Sequence, residues 1–274
     1  MEERMPHSRI IMGRLLMVGA AVVVTLAGCG GEQQPASAPE PTTGDSSGVS
    51  GQITVFAAAS LTEAFTEIGQ AFEQANPDAD VQFNFAASST LAQQINQGAP
   101  ADVFASASPK QMQDVADAGA AGDPTVFVAN LLQIAVPAGN PAGVTDLAAF
   151  GKPELAIALC AEQVPCGSAA RRAFEAAGIT PQPDTLEQDV KAVLTKVMLG
   201  EADAGLVYRT DVASSGGDVE GIDFPEAEQA VNEYPIAALT EAPNAAGAQA
   251  FVDYVLSEEG LTVLQEFGFV TEVS

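Results

Sequence analysis

Residues 53–72 read ITVFAAASLTEAFTEIGQAF, and a change of period inside them decides the fold class. Ile53 to Ala57 is a compact run of apolar and β-branched residues, which reads as a strand. From there the apolar positions are Leu61, Ala64, Phe65, Ile68 and Phe72, one face of a helix. The junction between the two is small and polar. Ser60 stands where an N-cap is expected, and Glu63 falls at the capping-box position three residues later.

The alternation continues along the chain. Val81, Phe83 and Phe85 alternate with Gln82 and Asn84, a period of two. A helix from about Leu91 stops at Gly98, and Asp102 to Ala107 is a short strand. Ser108-Pro109 opens a helix with Met112 and Val115 on its inner face and Gly119 as its stop. Strands are expected near 126–136, 155–159, 204–208 and 234–239. Helices are expected near 167–177, 190–199, 245–257 and 259–267. Repeated β-α-β units make this an α/β chain, with a mostly parallel sheet covered by helices on both faces.

In such sheets ligands gather where strands end and helices begin. Four junctions here are built from small or polar residues: AAASLTE (57–63), FAASSTL (85–91), VPCGS (164–168) and EQDV (187–190). Helix N-termini present unpaired N–H groups and a partial positive charge, a place for an oxyanion. For any single junction a plain cap is the simpler reading. Four such junctions in one chain suggest an anion receptor without specifying one, and period alone stops there.

Composition removes several other classes. The 274 residues carry 36 acidic and 10 basic side chains, a net charge of -26, and their one histidine is His7. A body without histidine has no Ser-His-Asp triad, no Cys-His pair and no multi-histidine zinc centre. The acidity argues against nucleic acid, which calls for a basic face. No EF-hand loop occurs, so a metal-cation receptor has little support. An exported hydrolase using a serine such as Ser88 would lack a base, and no enzyme activity is expected.

The N-terminus reads as an export signal. Arg4, Arg9 and Arg14 precede Leu15 to Ala27, 13 residues without a charge, too short to span a bilayer comfortably and right for a signal h-region. The run ends in Leu26-Ala27-Gly28-Cys29, which resembles the lipobox of bacterial lipoproteins. That resemblance implies that residues 1–28 are removed and that Cys29 is lipidated, anchoring the chain to the outer face of the cytoplasmic membrane. Residues 29–51 follow as lipidated cysteine and flexible tether, rich in Gly, Ser, Pro and Thr. Cys160 and Cys166 remain, an even number in an exported protein, which suggests a disulfide; two free buried thiols are the alternative.

The segments FAAASLTEAF (56–65), FAASSTLAQQI (85–95), GAPADVFASAS (98–108), VPCGSAA (164–170), QDVKAVL (188–194), GLVYRTD (205–211) and NEYPIAAL (232–239) resemble, in order, the signature segments of the molybdate-binding proteins of ABC importers. The resemblance covers residues 52–270. It implies the type II periplasmic-binding-protein fold, with two α/β lobes and a ligand in the cleft between them. Lobe 1 would comprise 52–131 plus 234–274 and lobe 2 132–233, with crossings near Asn130 to Gln133 and Glu233 to Pro235 as the hinge.

The resemblance also implies a ligand set for molybdate, or for tungstate of nearly the same shape. Ser60 and Ser88 would bind the oxyanion from one lobe, Cys166 and Val190 would offer backbone N–H groups from the other, and the Tyr208 hydroxyl would complete the shell. Molybdenum would be held only as the oxyanion, without a cofactor, in a monomer that delivers it to an ABC permease. A bridge between Cys160 and Cys166 would hold the Cys166 N–H in place. Another oxyanion on the same fold, tungstate, sulfate-like or phosphate-like, is the nearest rival. Arg209, beside Tyr208, departs from the family pattern; as the next residue on a strand it should point to solvent.

Overall fold

The computed structural model describes residues 48–273. The expected signal peptide, the expected lipidation site Cys29 and the expected tether as far as residue 47 lie outside the described residues. The first elements are β1 (Gly51–Ala58), α1 (Thr62–Ala75), β2 (Ala79–Ala86), α2 (Ser88–Asn96), β3 (Val103–Ala105), α3 (Pro109–Asp117) and β4 (Thr125–Asn130). The middle of the chain adds β5 (Leu132–Pro137), β6 (Ile157–Cys160), α4 (Pro165–Ala177), β7 (Thr185–Glu187), α5 (Val190–Met198), β8 (Ala204–Tyr208), α6 (Arg209–Ala213) and β9 (Val219–Ile222). The chain finishes with β10 (Asn232–Ala238), α7 (Ala245–Val255) and α8 (Glu258–Glu266).

Two five-stranded sheets result, ordered β2-β1-β3-β10-β4 and β7-β6-β8-β5-β9. The expected single strand near 126–136 is in fact two. It breaks at Leu131, leaving β4 in the first sheet and β5 in the second. Nor are the sheets mostly parallel throughout. β10 runs antiparallel to β3 and β4, and β5 runs antiparallel to β8 and β9. β5 follows β4 directly from the other sheet and β10 follows β9 after only a 3-10 turn, Pro225–Gln229, so neither is preceded by the crossover α-helix that joins parallel neighbours. The short strands β7 and β9 went unforeseen because TLE and VEGI carry no alternating apolar signal.

Each sheet has its own core. In the first, α1, α7 and α8 cover one face, where Phe65 meets Phe83, Phe127 and Phe251 at ring-centroid distances of 6.2, 6.0 and 6.1 Å. A second cluster around Phe104, Leu91 and Met112 lies under α2 and α3. The second sheet is packed around Phe150, Phe174 and the apolar sides of α4 and α5. The chain passes between sheets at Leu131 and again at Ala230–Val231. Glu233 and Pro235, expected at the second crossing, are strand residues of β10. Its first residue, Asn232, pairs with Asn130, so the two crossings lie side by side.

Candidate functional site

The site is built where strands hand over to helices. β1 ends at Ala58 and a 3-10 turn, Ala59–Leu61, leads into α1. β2 ends at Ala86, one residue short of the N-cap of α2. From the second sheet come the first turns of α4 and α5 and the end of β8. Ser60, Ser88, Cys166, Val190 and Tyr208 all line one cavity between these elements. It leaves about 20 Å³ for atom centres, which with the ~1.4 Å radius of a water-sized atom added is a hole about 3 Å in radius. That is room for one small polyatomic ion.

The serines do not serve as the helix caps expected of them. Ser60 sits inside the 3-10 turn, α1 has Leu61 at its N-cap with no side-chain bond, and no capping box forms with Glu63. The intervening turn rotates Glu63 away, toward Lys191 on α5. The Ser60 hydroxyl lies 2.8 Å from the Tyr234 hydroxyl. Ser88 is the first residue of α2, and its oxygen accepts the N–H of Ala107 at 2.9 Å. Both side chains are buried, at 5% and 0% exposure.

The hydrogen bonds behind the cavity set the direction of the protons facing it. The Ser88 oxygen already accepts from Ala107, so its own proton is left to donate. Tyr208 accepts from Asn232 Nδ2 at 2.5 Å, so its own proton turns away from the amide, toward the cavity and the neighbouring Tyr234 hydroxyl. Burial pushes the Tyr208 phenol well above its ordinary pKa, and neighbouring Tyr234 and Asp211 push it the same way; it keeps its proton. Cys166 is the second residue of α4 and Val190 the first of α5, positions whose N–H groups have no partner within the helix. Pro165 at the start of α4 has no N–H to compete.

Among the described residues no lysine or arginine lines the cavity. An ionisable carboxylate in the wall, Asp189, caps α5 by accepting the N–H of Ala192 at 2.9 Å. Arg209 is the first residue of α6 rather than a strand residue, and its guanidinium lies 3.3 Å from Asp223, outside the cavity wall. Cys160 and Cys166 form a disulfide with Cα atoms 5.8 Å apart, tying the end of β6 to the first turn of α4. Next to it Gly167 packs against Ala161, whose carbonyl oxygen would be 2.0 Å from an added Cβ.

Three functional neighbours were missed from sequence: Asn232, Tyr234 and Arg172. Asn232 and Tyr234 stand inside the NEYPIAAL segment, but nothing local shows that they turn toward residues far away in the chain. Arg172 gives no sequence signal. No group of His, Cys, Asp and Glu among the described residues could hold a metal ion. Among those residues no helix is long and apolar enough to cross a membrane.

A cavity walled by hydroxyls and helix N-termini, from two α/β lobes joined by adjacent crossings, defines a solute-binding protein of the type II periplasmic fold. The chain belongs to the bacterial extracellular solute-binding proteins, whose family model matches residues 53–270. It is 46% identical to the molybdate-binding protein ModA of Mycobacterium tuberculosis, over 92% of this chain and 95% of that one. It is 36% identical to ModA of Escherichia coli, over 80% and 89%. The periplasmic molybdate-binding protein of Azotobacter vinelandii has the same fold, with a TM-score of 0.70 at 18% identity, covering 80% of this chain and 98% of that one.

Proposed function

We propose that this protein captures molybdate, and tungstate of the same shape, outside the cytoplasmic membrane and delivers it to an ABC permease. The observation that carries the reading is the convergence of Ser60 and Ser88 from one lobe with Cys166, Val190 and Tyr208 from the other on a single cavity. Relatives named as molybdate-binding proteins over nearly the whole chain support the choice of anion. The dianion would be held by hydroxyls and amide dipoles, each such bond to a charged group contributing about 1.5–3 kcal/mol. Excluding water from a closed cleft strengthens them further.

On this reading the protein is a receptor without a cofactor and without turnover. It works as a monomer tethered through a lipid on Cys29, and the apolar run ending in LAGC supports that anchor. Titration calorimetry with molybdate, tungstate, sulfate and phosphate tests the reading. Molybdate and tungstate should bind tightly and raise the melting temperature, while sulfate and phosphate do little. Preference for sulfate or phosphate would overturn it.

A further inference from the structure

Behind Tyr208 stands a buried amide with every polar atom engaged. Asn232 is 4% exposed. Its Oδ1 accepts from Arg172 Nη2 at 2.7 Å, while its Nδ2 donates to the Tyr208 hydroxyl at 2.5 Å and to the Ala107 carbonyl at 2.9 Å. These partners admit one orientation of the amide. Turned over, its NH2 would face a guanidinium and its oxygen would face a carbonyl. Arg172 is itself held by the carbonyls of Ala230 and Val231, both at 3.2 Å, in the crossing segment that leads into β10.

We propose that Asn232, aligned by Arg172, is a positioning and specificity-determining residue that holds Tyr208 as a donor and thereby favours oxyanions that carry no proton. The proposal rests on the oxyanion reading of the cavity. Asn232 supplies a hydrogen bond that the Tyr208 oxygen accepts, so the phenolic proton points away from the amide; the neighbouring Tyr234 hydroxyl is its acceptor within the protein, and a guest oxygen takes that place. A guest oxygen bearing its own proton would meet that proton head-on. A carboxylate at 232 would reverse the polarity: it would accept a hydrogen bond from the Tyr208 hydroxyl, and the phenolic oxygen would face the cavity as an acceptor. The cation Arg172 thus acts on the site without touching the anion, through one amide and one phenol.

Asn232→Asp keeps the size of the side chain and gives Arg172 a carboxylate partner. The purified protein and this variant are titrated with molybdate and with inorganic phosphate, which retains one proton at neutral pH. Molybdate affinity should fall roughly 10–100-fold in the variant, with the ratio of phosphate to molybdate affinity rising. Asp189 is in the wall of both proteins, so the comparison isolates position 232. Repeating the substitution in Tyr208→Phe separates the relay from simple charge repulsion, because without the phenol the change at 232 should cost molybdate affinity much less. An equal cost in both backgrounds, or molybdate affinity within threefold of the parent, overturns the proposal. Should Asn232→Asp fail to fold, Arg172→Met frees the amide to turn and must also weaken molybdate binding; unchanged affinity there overturns it as well. If the parent protein binds no molybdate, it is the reading of the site that fails.

Discussion

Lys191 Nζ lies 2.8 and 2.9 Å from the two carboxylate oxygens of Glu63, an ion pair between α5 of one lobe and α1 of the other. Each partner adjoins a cavity residue: Lys191 follows Val190, and Glu63 is three residues beyond Ser60. The pair therefore ties the lobes together beside the site. Lys191 also reaches Asp211 Oδ1 at 3.0 Å, and Asp211 in turn accepts the backbone N–H of Tyr208 at 3.0 Å. Glu63→Gln keeps a hydrogen-bonding group and removes the charge. It should weaken molybdate binding by up to about 1 kcal/mol, the scale of a partly exposed pair. Calorimetry at low and high salt decides whether charge is responsible, because the difference between parent and variant should shrink as salt screens the pair.

Asp211 is fully buried, and that burial raises its carboxyl to about 6 against the opposing pull of Lys191. Between the ordinary carboxylate value and about 6 the folded protein holds a proton there that the unfolded chain has released. Stability contributed by this residue therefore rises as pH falls through that window and is lost again above it. Asp211→Asn removes the effect. The melting temperature of the parent relative to the variant should climb as pH is lowered from 7 to 4.5, on the order of 2–3 kcal/mol in stability at most. A difference that stays flat across this range would refute the assignment.

Removing the hydroxyls should separate binding from stability. Ser60→Ala and Ser88→Ala each delete one donor to the anion, which should cost about 1–3 kcal/mol of binding measured by calorimetry. Ser88→Ala additionally strands the buried N–H of Ala107, so its melting temperature without ligand should fall further than that of Ser60→Ala, whose partner is a hydroxyl that can turn. Equal melting temperatures would mean that Ala107 finds another acceptor.

The strand and helix periods were legible because they are local: Ile53 to Phe72 changes period within its own residues. The allocation of strands to sheets was not. Period alone reads the run 126–136 as one strand; only the family resemblance pointed to a crossing near Asn130 to Gln133, and the chain does leave one sheet for the other at Leu131. The same holds at the site. Ser60, Ser88, Cys166, Val190 and Tyr208 stand in recognisable segments, and the structure brings all five to one cavity. The capping box failed because a cap rule assumes that the helix starts at the serine, whereas a 3-10 turn intervenes and releases Glu63 for Lys191. Tyr234 lies 174 positions from Ser60 and Arg172 lies 60 from Asn232; contacts made by the closed fold leave no local trace.

The disulfide closes a short loop, from Cys160 to Cys166, and should contribute about 2 kcal/mol by restricting the unfolded chain. Its second partner also carries a backbone N–H of the cavity wall. Cys160→Ser with Cys166→Ser should therefore lower both the melting temperature and molybdate affinity, while the Cys166→Ser backbone N–H itself remains present. Loss of stability with unchanged affinity would show that the first turn of α4 is held by packing alone.

Gly167 offers a test of that packing with the disulfide intact. The first turn of α4 lies so close to the chain leaving β6 that a Cβ at 167 would sit 2.0 Å from the Ala161 carbonyl oxygen and 2.8 Å from that of Cys160. Both obstacles are backbone, so neither can swing aside as a side chain tip would. Gly167→Ala must push α4 away from β6, at a cost of about 1–3 kcal/mol for an overpacked contact. The displaced helix carries the Cys166 N–H with it, and a hydrogen bond weakens steeply as its geometry is lost. Molybdate affinity should fall in this variant although no atom that touches the anion has changed. Alanine 170, on the same helix one turn later and also buried, supplies the control: Ala170→Gly should lower the melting temperature through helix propensity and leave affinity near that of the parent. Matching affinities for the two variants would mean that the approach of α4 to β6 does not set the position of the donor.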